Sequence, residues 1–135
     1  MPEDNLSGKI IDLKNCEIWQ QDHLVLSNVN LEIERGEFLY LVGRVGSGKT
    51  SLIKTLNAQL PLREGKGVVA GYDLSSIKPR DIPFLRRKTG VVFQDFQLLI
   101  DRSVNENLEF VLRATGWKNK YEIDKKTGFL RLDRI

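Results

Sequence analysis

Residues 38–56, FLYLVGRVGSGKTSLIKTL, decide the fold. Phe38 to Val42 is an uninterrupted apolar run, the pattern of a strand covered on both faces inside a parallel sheet. It leads into Gly43–Thr50, GRVGSGKT, which fits the pattern G-x-x-x-x-G-K-[ST]. Beyond it Leu52, Ile53, Leu56 and Leu60 recur at helical spacing, predicting a helix over Thr50–Leu60 that Pro61 stops. The expected order is therefore buried strand, glycine loop, helix.

That order carries chemistry. Gly43, Gly46 and Gly48 permit backbone conformations closed to other residues, so successive N–H groups can converge on phosphate oxygens. The start of a helix adds unpaired N–H groups and the positive end of its dipole. Gly43, Arg44, Val45, Gly46, Ser47, Gly48, Lys49, Thr50 and Ser51 are the expected binding residues. Lys49 is expected to reach the β- and γ-phosphates as a point charge, and the Thr50 hydroxyl to serve as a ligand of Mg2+.

Upstream, Asn28–Glu34 alternates polar residues with Val29, Leu31 and Ile33, the period of a strand with one buried face. Ile10–Trp19 reads as a second such strand, and QQDH at 20–23 as the turn of a hairpin. Downstream, Val68–Ala70 marks a short strand between Gly65 and Gly71. Pro79–Lys88 reads as a short basic helix with Phe84 and Leu85 inward, and Gly90–Phe93 as a second buried strand. Ser103 followed by Glu106 forms a capping box ahead of a helix with Leu108, Val111 and Leu112 on one face. After Gly116 the pattern decays into Lys-rich sequence. The expected organisation is a first part over 1–115 and an incomplete helical subdomain or altered end over 116–135.

The 135 residues suit one modest domain, and 41% hydrophobic with 29% charged residues is an ordinary globular balance. The net charge of +3 is read as a solvated basic face, with an anionic surface as the alternative. One cysteine, Cys16, excludes an internal disulfide, and a single His23 makes no histidine metal site. No apolar run approaches the roughly 18 residues needed to cross a bilayer. The polar start predicts a cytoplasmic location.

From about Ile10 to Thr115 the sequence resembles the ABC-transporter ATPases. The resemblance implies an α/β P-loop NTPase of the ABC type, partial here. It would have an N-terminal antiparallel β-subdomain and the first strand, P-loop and helix of the core. It implies ATP with Mg2+ as ligand, Trp19 as the ring that stacks on adenine, and Gln94 in GVVFQDFQLL (90–99) as the Q-loop glutamine that meets the metal and the attacking water. Lys49 and Gln94 become the candidate catalytic residues, Thr50 and Gln94 the candidate metal ligands.

PFLRR (83–87) and FQDFQLLIDRSVNEN (93–107) resemble the FtsE-type cell-division branch in particular. That implies a membrane-embedded FtsX-like subunit docked near Phe96, Leu98 and Leu99, a homodimer in the full-length form, a place on the cytoplasmic face of the inner membrane, and no nucleic-acid partner. The sequence contains no LSGGQ-like signature, no later strand ending in Asp-Glu and no switch histidine. The chain is accordingly expected to be an N-terminal part that binds ATP without efficient turnover. The alternatives are another ABC ATPase of lipoprotein- or macrolide-exporter type, a small P-loop kinase or GTPase-like enzyme using Asp95 as the magnesium-holding acid, and a non-catalytic adaptor.

Overall fold

The computed structural model describes residues 8–95, 97–119 and 122. The chain divides into two compact units, Met1–Gly90 and Val91–Ile135.

The first unit is built on a long hairpin. Strands β1 (Lys9–Gln20) and β2 (His23–Glu34) pair antiparallel from Lys9↔Glu34 to Gln20↔His23. The expected hairpin and turn are thus observed, with Gln21 at φ 54° in the turn. On β2, Val29, Leu31 and Ile33 are half-buried between exposed neighbours, as a strand with one covered face requires. Helix α1 (Lys49–Leu56) follows the glycine loop. Strands β3 (Glu64–Val69) and β4 (Tyr72–Asp73) complete a four-stranded sheet of order β2-β1-β3-β4, and α2 (Ile82–Lys88) closes the unit. The core gathers Leu13, Cys16 and Ile18 of β1 with Leu52, Leu62, Val69, Leu74 and Leu85.

Two expected strands are not strands. Phe38–Val42 and Gly90–Phe93 make no ladder, and Phe38 is 78% exposed, Val42 89% and Val92 89%. A parallel strand exists only through neighbours on its edges, and the ladders among the described residues all belong to the antiparallel sheet. With nothing to pair against, the rings of Phe38 and Tyr40 meet each other edge to face at 4.8 Å.

The helix expected to reach Leu60 ends at Leu56. Arg86 of α2 donates from its guanidinium to the carbonyls of Asn57 and Ala58, both at 3.1 Å, and Ala58 turns to φ 51°. A cation thus satisfies carbonyls just past the helix end, where the dipole is negative. Leu85 is fully buried as expected, whereas Phe84 is exposed and lies under Arg87, 5.1 Å from ring centroid to guanidinium carbon.

In the second unit, helix α3 (Val104–Ala114) carries the expected capping box. The Ser103 hydroxyl accepts from the Glu106 N–H at 3.3 Å, and the Glu106 carboxylate accepts from the Ser103 N–H at 2.7 Å. Those two donors, the N–H first and then the Ser103 hydroxyl, hold the Glu106 carboxyl below its ordinary pKa. A carboxyl depressed in the folded state contributes fully above its unfolded pKa, about 4.3, and loses that contribution as pH falls through the lower folded value. Amide-exchange protection at Ser103 and Glu106 is therefore expected to persist at pH 6 and to weaken progressively below about pH 4. Glu106→Gln should make that protection independent of pH over the same window.

Candidate functional site

The glycine loop folds over the ammonium group of Lys49. Its Nζ donates to the carbonyls of Gly43 and Arg44, both at 2.7 Å, and to the Ser47 hydroxyl at 3.2 Å. The three donors of the lysine are therefore matched by three loop oxygens, which fixes the charge at the centre of the loop. Ser47 N–H closes the turn onto the Arg44 carbonyl at 3.2 Å.

Gly48 caps α1 in the left-handed region, φ 89° and ψ 3°, without any side-chain cap bond. The first helical turn consequently presents backbone N–H groups that no side chain caps. A Cβ on Gly48 would lie 2.8 Å from Val25 Cγ1 and 2.9 Å from Leu26 Cγ. Hairpin and loop are packed together there with no room for a methyl group. Gly46 also sits at positive φ, 79°, but in open space.

A cleft of about 320 Å³ opens at this point, lined by Gly46–Ser51 on one side and by Gln20, His23 and Val25 on the other. Thr50 is exposed in it and Ser51 is buried at its floor-side helix turn. Among the expected binding residues, Gly46, Ser47, Gly48, Lys49, Thr50 and Ser51 line the cleft. Gly43 and Arg44 reach it through the carbonyls that hold Lys49, and Val45 is fully exposed.

Trp19 is not among the lining residues. Its indole N–H donates to Glu17 at 3.0 Å, and the Arg63 guanidinium carbon lies over the ring, 5.4 Å from its centroid. Gln20 and His23 occupy the wall instead, and sequence reasoning missed both. Their position at the tip of a hairpin that precedes the glycine loop by some twenty residues is a tertiary fact with no periodic signal.

Gln94 lies in the second unit, exposed in a turn after the unpaired run, and Asp95 is exposed beside it. Leu98 is exposed, whereas the Leu99 backbone is clamped by Asn107, which accepts the Leu99 N–H at 2.8 Å and donates to its carbonyl at 3.1 Å. Phe96 lies outside the described residues. Among the described residues no cluster of three acidic, histidine or cysteine side chains could hold a metal, and no helix is long and apolar enough to cross a membrane.

The arrangement can hold a polyphosphate. The cradle is built from backbone N–H groups, a fixed ammonium and a helix start, each favouring an anion. Mg2+ would arrive with that anion, its own demand for oxygen ligands met by phosphate and by the Thr50 hydroxyl.

Residues 26–133 match the profile of the ABC transporter family. The cell division ATP-binding protein FtsE of Streptococcus pneumoniae is 39% identical over 101 residues, covering 75% of this chain and 44% of that protein. FtsE of Bacillus subtilis is 43% identical over 91 residues, 67% of this chain and 40% of that protein. The methionine import ATP-binding protein MetN of Helicobacter pylori is 37% identical over 113 residues, 82% of this chain and 35% of that protein.

A solved dimer of the ATP-binding cassette MJ0796, in a post-hydrolysis state bound to ADP and Pi, aligns with a TM-score of 0.76 at 27% identity. That alignment covers 88% of this chain and 54% of that one. The chain thus spans less than half the length of these curated relatives. With its glycine loop, capping hairpin and partial α/β P-loop fold, the chain belongs to the ABC transporter family.

Proposed function

We propose that this chain binds ATP together with Mg2+ in the cleft at the start of α1, as the nucleotide-gripping part of an ABC-type ATP-binding subunit. The observation that carries the reading is the Lys49 ammonium, held by Gly43, Arg44 and Ser47 at the mouth of an uncapped helix start. A triphosphate takes the place of one or more of those loop oxygens as the acceptor of the ammonium's donors. Thr50 supplies the protein's metal ligand.

In the complete subunit the reaction is attack of water on the γ-phosphate, with Gln94 as the residue that senses metal and water. The FtsE-like role, coupling ATP to an FtsX-like membrane subunit in cell division, is supported by the identities to two FtsE proteins and by the stretch from Phe93 to Asn107. Similarity to MetN supports the wider reading of an ABC importer subunit. A homodimer and a peripheral position on the membrane belong to the same proposal, the former supported by the dimeric MJ0796 cassette. Asp95 as the magnesium-holding acid of a small P-loop kinase or GTPase-like enzyme is the lesser reading, since residues 26–133 match the ABC transporter family.

Isothermal calorimetry on this chain tests the proposal. Mg-ATP should bind, and Lys49→Ala should weaken it by about 10- to 100-fold, as expected for loss of charge-assisted bonds worth about 1.5–3 kcal/mol. Equal binding by both forms would overturn it. Steady-state phosphate release by this chain is expected to stay near background, because the sequence offers no Asp-Glu strand to supply a general base.

A further inference from the structure

We propose that the basic segment 78–88, with Phe84 at its centre, is a docking surface for a membrane leaflet rich in anionic lipid, separate from the nucleotide cleft. It deepens the peripheral placement proposed above by giving this chain a lipid contact of its own. Over residues 74–94 the sequence has five basic residues, Lys78, Arg80, Arg86, Arg87 and Lys88, against Asp81 alone, an excess larger than the +3 of the whole chain. The positive charge of the protein is therefore concentrated on one turn and the short helix α2 that follows it.

Most of that charge has no acidic partner within the chain. Arg86 is committed to the carbonyls of Asn57 and Ala58, and Arg80 lies 3.9 Å from Asp81 with 77% of its side chain exposed. Lys78, Arg87 and Lys88 are exposed and make no ion pair among the described residues. Arg87 rests 5.1 Å from the Phe84 centroid and Lys88 5.3 Å from that of Tyr72. Phe84, Arg87 and Lys88 stand three and four residues apart, so they share one face of α2, on which Phe84 is 52% exposed, while Leu85 is fully buried. A groove of about 270 Å³, lined by Leu60, Leu62, Ile77, Pro79 and Ile82 among others, opens in the same segment. An exposed ring among long cationic side chains is the chemistry of an interfacial anchor. The ring enters the headgroup boundary, and the ammonium and guanidinium groups meet lipid phosphates. No side-chain hydrogen bond fixes Lys78, Arg87 or Lys88 to one acceptor geometry, which suits a plane of mobile headgroups better than the fixed carboxylates of one protein.

Co-sedimentation of the full chain with vesicles, in the absence of nucleotide, tests this. Vesicles of mixed phosphatidylcholine and phosphatidylglycerol should take up the chain and vesicles of phosphatidylcholine alone should not. Salt at about 1 M, where the Debye length is about 3 Å, should release it. Arg87→Glu/Lys88→Glu should lower partitioning by at least about 25-fold, about fivefold for each cation removed. Lys78→Glu/Arg80→Glu, which leaves the ring contacts of α2 intact, should lose as much. Phe84→Ser should lower it by about fivefold and keep its salt dependence. Uptake that is absent, equal on both vesicles, or undiminished in both double variants overturns the proposal. Capture of polyglutamate with no uptake by vesicles also overturns it, in favour of an acidic protein partner. Calorimetry with Mg-ATP should give the wild-type affinity for each variant, so the two sites are read separately. Vesicle uptake by a chain that binds no Mg-ATP would sink the nucleotide reading and leave this one standing.

Discussion

Gly48→Ala is expected to destabilise the first unit by about 2–5 kcal/mol and to abolish measurable ATP binding. Two costs combine at this position. A side chain at φ 89° is strained, by about 1–3 kcal/mol for a non-glycine residue in the left-handed region. The new methyl would also fall 2.8 Å from Val25 and 2.9 Å from Leu26, so hairpin or helix start must move. Movement of either opens the cleft, because Val25 is one wall and Gly48 the other. Gly46→Ala isolates the first cost, since Gly46 has φ 79° but nothing within 4 Å. Urea unfolding of both variants should therefore show the larger loss at Gly48. Equal losses would mean that hairpin and loop are not in contact.

Leu13→Ala is expected to cost about 2–5 kcal/mol, the range for emptying a buried leucine site, which is a large share of the stability of any domain this small. Leu13 is fully buried on the central strand β1, and its Cδ2 would stand 2.9 Å from a Cβ on Gly67. Close packing on the β3 side leaves the cavity little means of collapsing. Val42→Ala supplies the contrast: at 89% exposure it should change stability by about 0.5 kcal/mol or less. The apolar run at 38–42, read as sequence, would have made Val42 the more central residue. Chemical denaturation of the two variants distinguishes the readings, and a Val42→Ala loss as large as that of Leu13→Ala would restore the buried strand.

Some of the molecule is local enough for sequence to specify it. Lys49, its glycines and the helix after them act within about a dozen residues, so spacing alone located the loop that folds around the lysine and the helix that follows it. The hairpin is set by side-chain alternation on β2 and by a tight turn, both readable as pattern. The capping box at Ser103 and Glu106 spans three residues and forms as the letters imply.

Other features depend on partners far away in sequence. Glu64–Val69 became strand where β1 offered an edge, whereas Phe38–Val42 has the better strand composition and joins no edge among the described residues. Helix α1 stops at Leu56 rather than before Pro61 because Arg86, about thirty residues on, takes the carbonyls that follow it. Arg63 claims a face of Trp19, and the turn of the hairpin swings Gln20 and His23 to the cleft.

By itself, then, the sequence determined where the proposed anion cradle lies, because backbone freedom, one fixed charge and a helix start are written in consecutive residues. Tertiary structure alone decided which apolar runs are buried and which side chains line the cleft opposite the glycine loop. Burial and facing are properties of two segments at once, and only folding brings the second segment into place.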